Sequence, residues 1–329
     1  MTNKIISSVI ANNNDRIQYD EVCKRILADK FIIAKILKHT LPEYKNYSLK
    51  EIVDNYIDGS PLISTVAVNP DEKRNGEFVE TLNSENVIAN EGKVTFDIMF
   101  KAIVPETYER KHMFINLEAQ KAFNVGYPIA SRGVYYCSRM LSKQYGEVFT
   151  NSRYDKLQKV TSIFLCNNVT DKVHKNTITS FELNEHNIYG SITTDKSAYD
   201  LLSVVIVCYN NNDNNTTNEL INMLSVLFSN KINADKKINM LSSQYGIPMT
   251  TNFKGEVNSM CNMSQGLIDL GIEQGIEQGI EQNTINSMFY LINNKHWDFK
   301  DCFEMYNIPE EKQATYIEAV NKMINNSNI

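Results

Sequence analysis

Asp97, Glu118 and Gln120 stand inside two apolar, strand-like stretches of the chain. Asp97 falls within a Val-, Ile- and Phe-rich run from Lys93 to Val104, and Glu118 and Gln120 fall two residues apart in a second run from Lys111 to Phe123. Residues two apart on a strand share a face, so Glu118 and Gln120 point the same way. Joined by the polar turn Pro105 to Arg110, the two runs read as a β-hairpin with Asp97 in mid-strand beside Glu118. Two adjacent carboxylates repel unless a proton or a cation lies between them. Hard oxygen donors with water completing the shell suit Mg²⁺ or Mn²⁺. Such an ion activates water and stabilises charge on a phosphate during cleavage. The competing reading of the same spacing is an amphipathic hairpin that turns both acids to solvent.

The elements that must hold these residues follow from periodicity. From Tyr19 to His39 apolar residues recur at helical spacing, which predicts one amphipathic helix ahead of the hairpin. A polar connection including Asp58 to Pro61, a strand-like run Ile63 to Val68 and a charged stretch from Pro70 to Glu77 separate that helix from the hairpin. Beyond it, Ile129 to Gln144 is helical in pattern, and Val160 to Cys166 and Leu201 to Tyr209 are strands. The near-continuous apolar character of the last predicts burial on both faces. Thr177 to Tyr189 reads as an edge hairpin, Asn210 to Asn218 as a surface loop, and Glu219 to Ser229 and Ala234 to Tyr245 as helices.

Charge is unevenly spread. The net charge of −6 argues against a nucleic-acid partner when taken whole, but between Arg110 and Val160 nine basic residues face three acidic ones. That stretch is therefore +6 and the remainder −12. A local DNA footprint beside the candidate site is compatible with this, as is a solvated positive face. With 42% hydrophobic residues the chain can bury a sizeable core, yet no apolar run reaches the roughly 18 residues that a spanning helix needs. Met1 to Arg16 is polar, unlike a signal sequence. The expectation is a cytoplasmic protein without a membrane partner. Six scattered cysteines, with no Cys-x-x-Cys pair, read as reduced and mostly buried thiols.

Asp97 followed by Glu118-Ala119-Gln120 resembles the Asp…Glu-x-Gln variant of the PD-(D/E)XK signature, in which Gln replaces the usual Lys. With the run Asp29 to Leu37, Phe96-Asp97-Ile98, Leu117 to Gln120, Tyr127-Pro128, Arg132 to Arg139 and a Gly-Ile-Glu-Gln repeat, the chain is similar to the PD-(D/E)XK nuclease family transposases, the recombination-promoting nucleases. The resemblance extends from about Tyr19 to Asn307. It implies an α/β, restriction-endonuclease-like αβββαβ core with a mixed sheet, followed by a C-terminal helical extension. It also implies a metal-dependent DNA endonuclease in which Asp97, Glu118 and the carbonyl of Ala119 bind Mg²⁺ or Mn²⁺. Gln120 would stand where a lysine normally orients water. A neutral amide positions water but supplies no positive charge, so the alternative is a weak or inactive DNA-binding accessory protein that keeps the fold. Glu21 and Asp29 are the leading-helix candidates for an additional acid. Lys121, Arg132, Tyr136 and Arg139 are candidate DNA contacts.

Gly-Ile-Glu-Gln occurs three times from Gly271 to Gln282, placing Ile272, Ile276 and Ile280 on one helical face. Helix-interior glycines each cost roughly 1 kcal/mol relative to Ala, which favours a weak helical linker. The expected organisation is a nuclease-like domain over 1–265, this linker over 266–284 and a small helical domain over 285–329. Trp297 to Val320 has the outline of a helix-turn-helix bent at Asn307 to Pro309. From Gln265 onward, however, ten acidic residues face four basic ones. Self-association through these helices is therefore the expectation there, ahead of DNA binding.

Overall fold

A computed structural model describes residues 2–63, 85–88, 92–95, 97–105, 111–211 and 215–327. The chain divides into two compact units, Asp20–Cys261 and Met1–Tyr19 with Asn262–Ile329.

The unit Asp20–Cys261 is mixed α/β. The helical periodicity from Tyr19 to His39 resolves into two helices, α1 (Thr2–Leu27) and α2 (Lys30–Thr40), rather than one. The break comes at Asp29, whose carboxylate accepts the N–H groups of Phe31 and Ile32 and so caps a new helix. After a single turn α3 (Leu49–Glu51), strand β1 (Ile57–Ile63) begins. Asp58 to Pro61 is thus not a connection but part of an edge strand, whose register shifts between Asp58 and Leu62. Gly59 takes a positive φ there, and a bulge at an edge accommodates Gly-Ser-Pro. The run beyond Ile63 and the turn residues 106–110 fall outside the described residues, as do residues 212–214 of the Asn-rich loop.

The stretch expected to form one long strand serves two sheets. Strand β3 (Gly92–Thr95) pairs with β2 (Glu85–Ile88) as a small two-stranded sheet, whereas β4 (Ile98–Ile103) pairs antiparallel with β5 (His112–Gln120). Asp97 therefore sits at a bend just ahead of β4 and not in mid-strand. The main sheet is completed by β6 (Val160–Cys166), β7 (Thr177–Glu182) and β8 (Leu202–Cys208). It is open, six-stranded and mixed, in the order β1-β4-β5-β6-β8-β7. Thr177 to Tyr189 does not fold back as its own hairpin, since β7 is a single edge strand antiparallel to β8.

Parallel pairing of β5 with β6 requires a crossover, and α4 (Ile129–Lys143) supplies it. Its buried stripe, Ile129, Gly133, Cys137 and Met140, packs on the sheet face that carries Phe114, Val160, Phe164, Val204 and Ile206. Gly133 permits that close approach: a methyl carbon there would lie 2.4 Å from Val204 Cγ1. The intervening residues Ile115, Leu117, Ile163, Leu165, Val205 and Val207 are equally buried, so the sheet is covered on both faces. Among the helices, α2 contacts β1 and α5 (Glu219–Phe228). Lys35 of α2 pairs with Glu219. The helix α6 (Ala234–Tyr245) packs on α5 and ends on Gly246 in the left-handed conformation.

In the C-terminal unit, α7 (Thr251–Lys295) runs unbroken through the Gly-Ile-Glu-Gln repeats. Its last turns form a small core with α8 (Phe299–Met305) and α9 (Glu310–Ser327) around Ile285, Met288, Cys302, Ile308, Tyr316 and Val320. All six cysteines are free, and five of them are buried.

Candidate functional site

The site gathers where β4 begins and β5 ends. The register pairs Ile98 with Leu117, so the next pair along the ladder is Asp97 opposite Glu118. Side chains take over the hydrogen bonding there. The Asp97 N–H donates to Glu118 Oε1 at 3.1 Å, and the Ala119 N–H donates to Asp97 Oδ2 at 3.2 Å. Each acid thus grips the main chain at or beside the other, and the bend that frees Asp97 from the ladder turns its carboxylate onto β5.

Two cations meet this pair from separate helices. Arg132 of α4 donates from Nη2 to Glu118 Oε2 at 3.0 Å. It also donates to the Tyr127 hydroxyl, and its guanidinium lies 4.9 Å from the Tyr136 ring centroid and 5.8 Å from that of Phe164. Lys24 of α1 places Nζ 3.0 Å from Asp97 Oδ1 and 3.3 Å from Asp20 Oδ2. The Lys24 side chain is 8% exposed, and that of Glu118 is 1% exposed.

Burial dominates the electrostatics. Burial first, and then the Asp97 carboxylate, push Glu118 up to about 8. The Asp97 N–H, Arg132 and Asn116 pull the other way and do not cancel that rise. For Lys24, burial favours the neutral amine, but Asp97 and then Asp20 outweigh it and hold the ammonium above the ordinary lysine value. Tyr136 is likewise raised, by burial and then by Glu118.

The remaining candidates divide. Gln120 shares the face of Glu118 and is half-buried, while Lys121 is exposed just past the strand end. Arg139 is 2% exposed and donates to the Tyr135 hydroxyl at 3.0 Å, which puts it in the packing of α4 and away from a surface where a phosphate backbone could reach it. Asp29 is committed to capping α2, and Glu21 is half-buried on α1.

Sequence reasoning missed Lys24 and Asn116. Asn116 was within reach of the period-2 argument, since it precedes Glu118 by two residues and shares its face. It is wholly buried, and its Oδ1 has no hydrogen-bond partner among the described residues. Lys24 carries a weaker signal, a lysine among Val22, Cys23, Ile26 and Leu27 and four residues after Asp20.

The donor set fits a hard divalent ion in type: two carboxylates bound to each other's main chain, with an unpartnered amide oxygen on the strand beside them. Lys24 and Arg132 compete for the same oxygens. Compared with protein-family models, with curated proteins and with solved structures, the chain matches none.

Proposed function

We propose that this chain is a divalent-metal-dependent DNA endonuclease of the PD-(D/E)XK type, associated with mobile elements or recombination. The observation that carries the reading is the Asp97–Glu118 pair. The two carboxylates are set side by side, with the Asp97 N–H on Glu118 Oε1 at 3.1 Å and the Ala119 N–H on Asp97 Oδ2 at 3.2 Å, and their oxygens are of the type that a hard divalent ion takes. The elements of the main sheet support it too: a leading helix, the antiparallel strands β1, β4 and β5, the crossover α4 and the parallel strand β6 are the kinds of element that an αβββαβ core calls for, with the separate pair β2–β3 inserted between β1 and β4.

In this reading Asp97, Glu118 and the Ala119 carbonyl hold Mg²⁺ or Mn²⁺. When bound, the ion supplies a polarised water and charge stabilisation at a phosphodiester. Arg132 fixes the orientation of Glu118. Gln120, on the same face, holds water through its amide without adding charge. Lys121 and the outer edge of Arg132, with Tyr136 bracing it, contact backbone phosphates. Self-association through the C-terminal helices belongs to the same proposal, supported by the exposed isoleucines 272, 276 and 280 of α7.

A second reading, a DNA-binding protein that keeps the fold without the chemistry, is favoured by one feature. Both carboxylates already have a cationic partner, Lys24 at Asp97 and Arg132 at Glu118. Incubation with supercoiled plasmid and Mg²⁺ or Mn²⁺, alongside Asp97→Ala and Glu118→Ala proteins, separates the two. Nicking or linearisation by the wild type alone supports the nuclease. Salt-sensitive binding with no conversion under either ion supports the inactive binder.

A further inference from the structure

A lysine is rarely buried unless it is paired, because desolvating an ammonium is costly. Lys24 is paired twice, with Asp97 at 3.0 Å and with Asp20 at 3.3 Å. An ammonium has three N–H donors and no acceptor. Asp97 and Asp20 take two, and the third has no partner among the described residues. That leaves a charged donor with spare capacity directly against one of the two site acids.

The other cations near the site are differently placed. Arg132 is engaged by Glu118 and the Tyr127 hydroxyl and lies against two rings, so its planar fork is largely spent on positioning. Lys121 is exposed past the end of β5. Gln120, on the face of Glu118, is neutral. Asp97 is 22% exposed on its side chain, so a group bound at that carboxylate comes within reach of Lys24 as well as of solvent.

We propose that Lys24, reaching in from α1, is the catalytic cation of this site and gives its third N–H to a nonbridging oxygen of the phosphodiester that undergoes cleavage beside Asp97. The inference rests on the nuclease reading. In the hydrolysis it assists, the oxygen of water bonds to phosphorus and the bond from phosphorus to one sugar oxygen breaks. One water proton ends on that sugar oxygen and the other stays on the new phosphomonoester. Lys24 keeps its own proton throughout and offsets the negative charge that gathers on the phosphoryl oxygens. Electrostatic donors aimed at developing charge are the groups whose removal costs most.

The test uses full-length protein and two readouts, plasmid cleavage with Mg²⁺ and binding of Mn²⁺ alone followed by its paramagnetic resonance, with Asp97→Ala as the control for both. Lys24→Gln and Lys24→Met lower cleavage on the order of 100-fold or more, while Mn²⁺ binds at least as tightly because a competing charge has left Asp97. Adding Gln120→Lys to either variant restores cleavage at least in part, since a cation returns to the site from the strand. Lys24→Arg retains more activity than either neutral variant.

Cleavage by Lys24→Gln and Lys24→Met within a few-fold of wild type overturns the role. So does loss of cleavage together with loss of Mn²⁺ binding and no recovery by Gln120→Lys, which would reduce Lys24 to a structural brace for Asp97. A wild type that binds DNA and never cleaves it fails the nuclease reading itself, and the role of Lys24 falls with it. Cleavage lost in Asp97→Ala but kept without Lys24 removes the lysine's role and leaves the nuclease standing.

Discussion

The contact between α4 and the sheet offers the sharpest quantitative test of the packing that holds Arg132 in place. Replacing Gly133 by alanine in an open helix interior should stabilise by about 1 kcal/mol, through lower backbone entropy in the unfolded chain. Here the new methyl carbon would stand 2.4 Å from Val204 Cγ1, 3.0 Å from Val204 Cγ2 and 3.1 Å from Phe164 Cε2. Carbon atoms rest at about 3.5–4.0 Å, so helix and strand must separate by roughly 1 Å or Val204 must leave its rotamer. Overpacking of this kind costs about 1–3 kcal/mol. With the first contact so short the upper half of that range applies, and the propensity gain of about 1 kcal/mol leaves a net loss near 1–2 kcal/mol. Urea unfolding of wild type, Gly133→Ala, Val204→Ala and the double variant measures it. The two changes should couple favourably, because truncating Val204 makes room for the methyl. Gly255→Ala, with nothing within 4 Å of the added carbon, serves as the control and should gain stability. A Gly133→Ala protein as stable as wild type, or a cycle with no coupling, would refute the packing argument.

Three further outcomes are expected. A carboxyl held above its ordinary value in the fold binds its proton more tightly folded than unfolded, so the stability from Glu118 is full below about 4.5 and is lost as pH rises towards about 8. Melting temperatures from pH 5 to 9 in chelator should therefore fall more steeply for wild type than for Glu118→Gln, and parallel curves would count against the buried pair. Asp29→Ala should cost about 1 kcal/mol by uncapping α2. It should leave plasmid cleavage per folded molecule unchanged, whereas lost cleavage at unchanged stability would make Asp29 a site acid. Replacing Ile272, Ile276 and Ile280 together by glutamine should reduce the mass in solution to that of a single chain; a mass equal to wild type would remove the α7 face from self-association.

Much of the architecture could be read from periodicity because the elements in question obey one dominant constraint. Val160 to Cys166 and Leu202 to Cys208 are buried on both faces, and their unbroken apolar runs say so. The helix at Ala234 to Tyr245 is bracketed by an Asn cap and a left-handed glycine. The misreadings come where two constraints overlap. Apolar spacing continues smoothly across Asp29, so the local capping signal that divides α1 from α2 was masked by the helical pattern on either side. The run through Asp97 is apolar on both flanks although it serves two sheets, and composition cannot mark a change of partner. The acids of the candidate site were legible because polar groups in apolar strands are conspicuous. Lys24 was not, because its meaning depends on Asp97, a residue far along the chain and on another element.

The mutual grip of Asp97 and Glu118 bears on how such a site ages. Each carboxylate holds an N–H of the opposing segment where the β4–β5 ladder would otherwise continue, so the two acids fasten the sheet as well as furnishing oxygens. Drift that erased the chemistry would still meet a structural penalty for discarding either residue. On the nuclease proposal, the acids should outlast the reaction in descendants of this sequence, and the cationic residues around them, which the strand does not need for its hydrogen bonds, would be the better witnesses to whether the proposed cleavage is under selection.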